Sequence, residues 1–196
     1  MYRKDKKDEY YTRKAHKEGY PARSVYKLQE IDLKYHLFKK GDRVLDLGCS
    51  PGSWLLYISS KIGPTGLIKG IDIEELKIKT PDNAVFLKKS ILELDKDEVI
   101  VLGKFDTVVS DSAPSTTGVK SLDAGKSLEL SEKAFEVALE ALNPKGAFLC
   151  KIFESQEANQ FIKNIESQFN LTKKIRPRAT TRNSSEFYFL GQGFKI

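Results

Sequence analysis

Residues 41–54 read Gly-Asp-Arg-Val-Leu-Asp-Leu-Gly-Cys-Ser-Pro-Gly-Ser-Trp, and this stretch decides the fold of the chain. Residues 44–47 predict a short apolar strand that ends at a glycine turn. A second glycine, Gly52, opens a helical pattern, so a nucleotide-like ligand could meet bare backbone at the turn. The alternative is an ordinary strand, turn and helix in which the glycines only relieve backbone strain.

The loop lacks the motifs that bind phosphate groups. A dinucleotide-binding turn needs Gly-x-Gly-x-x-Gly and a P-loop needs Gly-Lys-Ser/Thr, whereas Gly48 and Gly52 are four residues apart and no lysine follows them. Asp46, near the end of the strand, would repel a phosphate and would suit a cationic or hydroxyl-bearing ligand. S-adenosylmethionine (SAM) carries an ammonium group, ribose hydroxyls and no phosphate, and it therefore matches the loop.

The composition predicts one soluble domain. A chain of 196 residues can bury a full core without disulfides or metal ions. Cys49 and Cys150 lack the spacing of metal ligands, which argues against a zinc site and favours a reduced, cytoplasmic setting. No apolar run approaches the roughly 20 residues of a membrane helix. We expect no membrane association and, by default, a monomer.

The positive charge is concentrated near the two ends of the chain. The net charge is +6, residues 1–27 and 172–182 contribute +5 each and residues 183–196 cancel, so residues 28–171 carry −4. Residues 1–20 also contain four tyrosines among their basic side chains. Because cations neutralise phosphates and tyrosine rings stack on bases, this stretch predicts an RNA-binding arm attached to a catalytic core of residues 21–196. A frayed, solvated terminus is the alternative.

The pattern from residue 21 onward alternates between helices and strands, which predicts an α/β domain. The predicted helices cover residues 22–38, 54–61, 95–102, 128–142 and 155–168. The predicted strands cover residues 44–47, 66–73, 84–87, 105–109, 147–153, 171–175 and 187–190. A Ser/Thr/Gly-rich connection, residues 115–121, and a basic loop, residues 176–182, complete the chain.

Polar residues lie at the ends of several predicted strands. Asp72 follows Gly48 by 24 positions, where nucleotide-binding α/β folds place the acceptor of a ribose hydroxyl. Asp111 follows the fourth strand, at the edge where open α/β sheets bind ligands. Lys151 interrupts an apolar strand, so its ammonium group must reach a partner, a ligand or water. If the last strand is antiparallel, its first residue, Glu186, lies beside Asp111 and Lys151.

Taken in order, these residues resemble the FtsJ/RrmJ (RlmE) family of ribosomal RNA 2′-O-methyltransferases. The resemblance rests on Arg23-Ser-Val-Tyr-Lys27-Leu, Asp46-Leu-Gly-Cys-Ser-Pro-Gly-Ser-Trp54, Ser110-Asp-Ser-Ala-Pro114, Lys151 and Ser185-Glu186. It implies a three-layer, Rossmann-like SAM-dependent methyltransferase fold with seven strands, mostly parallel, the last antiparallel. It also implies a catalytic tetrad of Lys27, Asp111, Lys151 and Glu186 around the target hydroxyl.

The resemblance implies the cofactor and the substrate as well. Gly52 and Trp54 would contact SAM, Asp72 would bind its ribose, and Asp111 would border both SAM and the substrate. Ser90 departs from the family, which usually has Asp near the adenine at this position, and a serine is a weaker acceptor. The implied substrate is RNA, a uridine of large-subunit (23S-type) ribosomal RNA.

The implied reaction is attack of a ribose 2′-oxygen on the SAM methyl group, without a metal. Lys151 is the candidate base, although burial would favour its neutral form and neighbouring carboxylates its charged form. Three alternatives stay open at this point. They are methylation of a transfer RNA anticodon loop, methylation of a base nitrogen or small molecule, and a non-catalytic RNA-binding factor in ribosome assembly.

Overall fold

The structure is a computed structural model that describes residues 6–115, 117–181 and 184–195. Its strands are β1 (Arg43–Leu47), β2 (Leu67–Asp72), β3 (Ala84–Lys88), β4 (Phe105–Ser110), β5 (Leu142–Phe153), β6 (Phe169–Ile175) and β7 (Glu186–Phe194). The α-helices of the described part are α1 (Lys6–Lys17), α2 (Val25–Tyr35), α3 (Ser53–Ile62), α4 (Lys96–Leu102), α5 (Lys120–Ala141) and α6 (Gln156–Ile165). Short 3₁₀ helices cover Ile91–Glu93 and Glu166–Gln168.

The seven strands form one sheet in the order β3-β2-β1-β4-β5-β7-β6. Strand β7 runs antiparallel to both of its neighbours, and all other adjacent strands are parallel. The order reverses between β1 and β4, which is where doubly wound sheets open a crevice for a ligand. The predicted α/β, Rossmann-like fold with an antiparallel last strand is therefore confirmed.

Helices cover both faces of the sheet. On one face, alternate strand residues such as Leu45 and Phe148 pack with α4, α5 and α6. On the other face, Val44 and Leu149 pack with α1, α2 and α3. The change of face between neighbouring residues follows from the two-residue period of a strand. The result is the expected three-layer arrangement, with both layers of the core fully buried.

Most of the predicted RNA-binding arm, residues 1–20, is helical in the structure. Within this stretch α1 is a docked helix, because Tyr11 and Ala15 lie four residues apart on one face and pack toward α2. The Tyr11 ring lies 5.3 Å from that of Tyr26, and Arg23 pairs with Asp8. Residues 1–5 lie outside the described residues. The RNA-binding role of this stretch stays a prediction.

The largest differences from the predicted element boundaries are at the starts of α5 and β5. Helix α5 begins at Lys120, eight residues before the predicted start at 128, and it takes in part of the predicted loop 115–121. Its first turns carry buried polar residues, Asp123 and Ser127, which interrupt the apolar pattern. Strand β5 begins at Leu142, so the predicted stop at 143–146 lies within it, beside an irregularity in its register with β4.

Candidate active site

The residues predicted as a catalytic tetrad come from four elements that meet at one edge of the sheet. Asp111 follows β4, Lys151 lies near the end of β5, Glu186 opens β7 and Lys27 lies in the first turn of α2. In the register of the sheet Lys151 lies opposite Tyr188, and Phe153 lies opposite Glu186. The antiparallel direction of β7 thus brings its first residue to the carboxyl ends of the parallel strands.

Alternation along the strands places the tetrad on one face. Val109, Leu149 and Tyr188 all belong to the core that packs under α1, α2 and α3. Asp111, Lys151 and Glu186 are each two residues away from one of them and therefore point to the same side. Lys27 approaches that side from α2.

Lys151 finds its partner in Asp111. The Nζ atom of Lys151 lies 3.1 Å from Asp111 Oδ1 and donates a hydrogen bond of 2.5 Å to the Asp111 backbone carbonyl. The Lys151 side chain is only 7% exposed and that of Asp111 16%. Burial of the lysine charge is offset by this pairing, since an unpaired buried ammonium group would be strongly destabilising. Lys151 therefore turns inward to the site and does not extend to water.

Lys27 and Glu186 form a second ion pair. Their side chains are 12% and 13% exposed, so the pair is shielded from solvent almost as well as the first. Each lysine is held by one carboxylate. The arrangement supplies two fixed cationic donors, which suit an oxygen atom that develops negative charge.

Tyr188 is a site residue that the sequence reasoning missed. Its hydroxyl donates a 2.7 Å hydrogen bond to Asp111 Oδ1, the same oxygen that faces Lys151. Burial raises the pKa of Tyr188, and the carboxylates of Asp111 and Glu186 raise it further. The hydroxyl therefore stays protonated and acts as a donor. Its spacing two residues after Glu186 was the available signal, but an aromatic residue in an apolar strand looks like core.

A cavity of about 560 Å³ lies beside the tetrad at the carboxyl ends of the strands. Its size is that of a nucleoside-scale binding site. Four residues predicted to bind the cofactor line it, namely Gly48, Asp72, Ser90 and Asp111. These four residues therefore converge on one cavity, and their role in cofactor binding stays a prediction. The other three, Asp46, Gly52 and Trp54, are not among the residues that line it.

Asp72 ties two loops of the cavity together. Its Oδ2 atom accepts from Ser50 N at 2.8 Å, and its Oδ1 atom accepts from Glu74 N at 2.9 Å. Each carboxylate oxygen has capacity for a second donor. Asp72 can therefore accept ribose hydroxyls while it keeps the loop after β1 in place.

The two glycines of the opening motif allow close approach of neighbouring chains. Gly48 has φ +78°, and a Cβ added to it would lie 2.3 Å from Ser112 Oγ and 2.8 Å from Ser112 Cα. Gly52 has φ +110° at the start of α3, and its added Cβ would lie 2.5 Å from Ile78 Cδ1. Neither position has room for a side chain. These glycines bring the loops after β1, β2 and β4 into contact.

Asp46 is a buried acid without a protein partner. It is 0% exposed, and neither carboxylate oxygen has a hydrogen-bond partner among the described residues. Burial raises the pKa of Asp46 well above its usual range, and the nearby Asp111 and Asp72 raise it further. A cationic ligand would stabilise the charged carboxylate. The ammonium group of SAM meets this requirement, so the residues present are compatible with that cofactor.

Trp54 and Ser90 have contacts of their own. The Trp54 indole donates to Ser24 O at 3.1 Å and stacks on Tyr188 at 5.9 Å, so its side chain joins α3 to α2 and β7. The predicted contact of Trp54 with the cofactor stays a prediction. Ser90 lines the cavity, and its Oγ accepts from Leu92 N at 3.3 Å at the start of a 3₁₀ helix.

The described residues contain no group of three or more His, Cys, Asp or Glu side chains arranged to hold a metal ion. Both cysteines are buried and free, and burial raises the pKa of Cys150 to about 12. Over the same residues, no helix is both long and apolar enough to cross a membrane.

Comparison with known proteins identifies relatives of this chain. Residues 20–194 match the model of the FtsJ-like methyltransferase family. The chain is 41% identical over 184 residues to the ribosomal RNA large subunit methyltransferase E of Desulfatibacillum aliphaticivorans, covering 93% of this chain and 89% of the relative. It is 43% identical over 188 residues to the protein of the same name from Desulforapulum autotrophicum, covering 95% and 93%.

Solved structures are similar as well. A Plasmodium falciparum protein described as a ribosomal RNA methyltransferase superposes with a TM-score of 0.77 at 26% identity, over 89% of this chain and 98% of that one. A Clostridium thermocellum protein described as an rRNA methylase superposes with a TM-score of 0.60 at 16% identity, over 84% and 95%, and shows the shared fold alone.

Proposed function

This chain belongs to the FtsJ-like methyltransferase family, and from that we propose that it methylates a ribose 2′-hydroxyl of RNA with SAM as the methyl donor. The observation that carries the proposal is the pairing of Lys151 with Asp111 and of Lys27 with Glu186 beside a cavity of nucleoside size. Lysines and carboxylates suit a hydroxyl target, whereas methylation of a base nitrogen calls for carbonyl or aromatic groups around the base.

The proposed substrate is large-subunit ribosomal RNA, with a uridine as the nucleotide. Its support is that relatives of about 40% identity over nearly the whole chain are named ribosomal RNA large subunit methyltransferase E. This favours ribosomal RNA over a transfer RNA anticodon loop. The two buried ion pairs favour an enzyme over a non-catalytic assembly factor. Such a substrate would place the protein in the cytoplasm with the ribosomes.

The cofactor would lie in the cavity with its ribose at Asp72 and its ammonium group near Asp46. Once bound, SAM supplies a methyl group made electrophilic by the sulfonium. Gly48 and Gly52 would let the loop backbone approach it closely, and Ser90 would face the adenine. Asp111, which lines the cavity and contacts Lys151, would lie between the cofactor and the substrate.

The chain's own residues would prepare the 2′-hydroxyl for attack. Lys151, held by Asp111 and therefore paired with a negative charge, would donate to the 2′-oxygen and stabilise the charge that develops on it. Lys27, held by Glu186, would orient the ribose or its phosphate. Because both lysines are paired and shielded, the oxygen would be placed with little reorganisation. The hydroxyl proton would leave to solvent as the oxygen–carbon bond forms.

The RNA would approach over the basic surfaces near the tetrad. The side chains of Arg13 and Lys17 on α1 are exposed, and Arg178 on the loop before β7 is exposed as well. This loop is docked, since Arg178 N donates to Glu30 Oε2 at 2.8 Å and Ala179 is buried. Fixed cations of this kind position a phosphate backbone without reading its sequence. All four tetrad residues come from one chain, so a monomer would suffice.

Replacing Lys151 tests the proposal. We expect Lys151→Ala to abolish transfer of labelled methyl groups from SAM to large subunits taken from cells that lack this protein, while SAM binding by calorimetry survives. Lys96→Ala is the matched control, because Lys96 is an exposed lysine of α4 that pairs with Glu140. Near-normal turnover of Lys151→Ala would refute the assignment.

Mapping of the methylated nucleotide tests the substrate. Digests of ribosomal and transfer RNA, taken after reaction and analysed by mass spectrometry, should show a new 2′-O-methyluridine in the large-subunit RNA. Its appearance in transfer RNA alone would favour the alternative substrate. Methylation on a base would contradict the proposed chemistry.

A further inference from the structure

A buried carboxylate that the proposed mechanism does not use lies in the first turn of α5. Asp123 is 8% exposed. Its Oδ1 atom accepts from Thr117 N at 2.7 Å and from Thr117 Oγ1 at 2.8 Å, and its Oδ2 atom accepts from Gly118 N at 3.2 Å. Thr117 Oγ1 in turn accepts from Val119 N at 3.2 Å. One side chain thus holds the segment that leads into the helix.

The residues just before this segment form a wall of the proposed cofactor cavity. Ala113, Pro114 and Ser115 line the cavity, between Asp111 upstream and the α5 residues downstream. The upstream end of the wall is fixed where Ser112 Oγ donates to Leu47 O at 3.2 Å. Ala113 and Ser115 are exposed, and the Ser115 hydroxyl makes no hydrogen bond within the described part of the chain. The side-chain hydrogen bonds that fix this stretch are those at its two ends.

The downstream end of the wall is held by α5, which also contacts β5, the strand that carries Lys151. Asp123, Ser127 and Ser131 follow one another at four-residue spacing, so they share one face of α5, and all three are buried. Ser127 Oγ accepts from Phe153 N at 3.1 Å, and Ser131 Oγ donates to Lys151 O at 3.2 Å. This polar stripe connects the cavity wall to the strand that carries Lys151.

We propose that Asp123 is a positioning residue for cofactor binding, which holds the wall of residues 113–115 against the cavity before SAM arrives. The inference rests on the proposed function, since it takes SAM to be the ligand. A wall without its downstream anchor would have to be ordered when the ligand binds, and the entropy lost in ordering it would weaken binding.

The alternative is that Asp123 only stabilises α5, because an acid in the first turn interacts favourably with the helix dipole. The hydrogen bonds from Thr117, its backbone N–H first and its hydroxyl second, lower the pKa of Asp123, so the side chain is charged and its contacts are charge-assisted. The two roles differ in what they predict. A purely structural role changes stability and leaves the affinity for SAM unchanged.

Asp123→Asn is the first variant, because an amide of the same shape cannot accept from both Thr117 and Gly118. We expect its Kd for SAM by calorimetry to rise about tenfold. Its KM for SAM should rise in parallel, while kcat at saturating SAM falls less than about threefold, since Lys151 and Asp111 are retained. Thr117→Val, which keeps Asp123 and removes only the hydroxyl, should raise Kd about threefold and serves if the first variant does not fold.

Asp95→Ala is the control, because alanine removes a helix N-cap that asparagine would largely preserve. Asp95 caps α4 through a 2.8 Å bond from Glu98 N and lies outside the lining of the cofactor cavity. The substitution at Asp95 should lower the unfolding free energy and leave the Kd for SAM at the wild-type value. A wild-type affinity for SAM in both Asp123→Asn and Thr117→Val would overturn this inference and leave the proposed function unaffected. Failure of the wild-type protein to bind SAM would instead overturn the proposed function, and this inference with it.

Discussion

Gly48→Ala should destabilise the protein through two separable effects. At φ +78° an alanine adopts a left-handed backbone conformation, which costs about 1–2 kcal/mol. Its Cβ would also lie 2.3 Å from Ser112 Oγ and 2.9 Å from Ser112 N, so backbone as well as side chain must move. Overpacking of this kind costs about 1–3 kcal/mol. Together we expect a loss of about 2–5 kcal/mol in the free energy of unfolding.

Gly19→Ala isolates the backbone effect. Gly19 has a similar φ of +81°, but nothing lies within 4 Å of its added Cβ, so only the conformational loss of about 1–2 kcal/mol applies. Urea unfolding followed by circular dichroism measures both variants. Calorimetry should also show at least tenfold weaker SAM binding for Gly48→Ala alone, since its loop lines the cavity. Equal losses of stability in the two variants would refute the contact between Gly48 and Ser112.

Two further predictions concern the site. Because the pKa of Asp46 is raised, its carboxyl stays protonated to a higher pH in the ligand-free protein than an ordinary aspartate would. Binding of a cation beside Asp46 must release this proton. The Kd for SAM should therefore fall as the pH rises and the carboxyl loses its proton more easily. Titrations in buffers of different ionisation enthalpy should detect the released proton. Asp46→Asn should bind SAM weakly at every pH, and a pH-independent Kd in the wild type would contradict this role of Asp46. Tyr188→Phe removes one donor from Asp111, a hydrogen bond worth about 1.5–3 kcal/mol. The single-turnover rate constant should therefore fall about tenfold or more, while the Kd for SAM stays within about twofold. An unchanged rate constant would show that Tyr188 contributes packing alone.

The part of the site that could be predicted consists of residues at the ends of strands. Spacing from the glycine turn identified Asp72, and the carboxyl edge of a parallel sheet explained Asp111. Lys151 was conspicuous because a charged side chain within an apolar strand needs a partner. The fold brings all three to the carboxyl edge of the sheet, where Asp72 and Asp111 line one cavity and Lys151 pairs with Asp111.

The parts that were missed have side chains that look ordinary in sequence. Tyr188 resembles any core aromatic, and its hydroxyl contact with Asp111 depends on the register of β7 against β5. The start of α5 was hidden because Asp123 and Ser127 are buried yet polar. The docking of α1 depends on Tyr26, a residue of the next helix. Long-range pairings of this kind leave no local pattern.

The pairing of Lys27 with Glu186 has a consequence for synthesis of the chain. The two residues lie near opposite ends of the described chain, 159 positions apart (27 and 186), and they meet only when β7 has inserted between β5 and β6. Contacts of such long sequence separation carry a large loop-closure entropy cost. A nascent chain that still lacks β7 would hold Lys27 and Lys151 without Glu186 or Tyr188. Competence for the proposed methyl transfer would therefore arise only after β7 has left the ribosome that makes the chain.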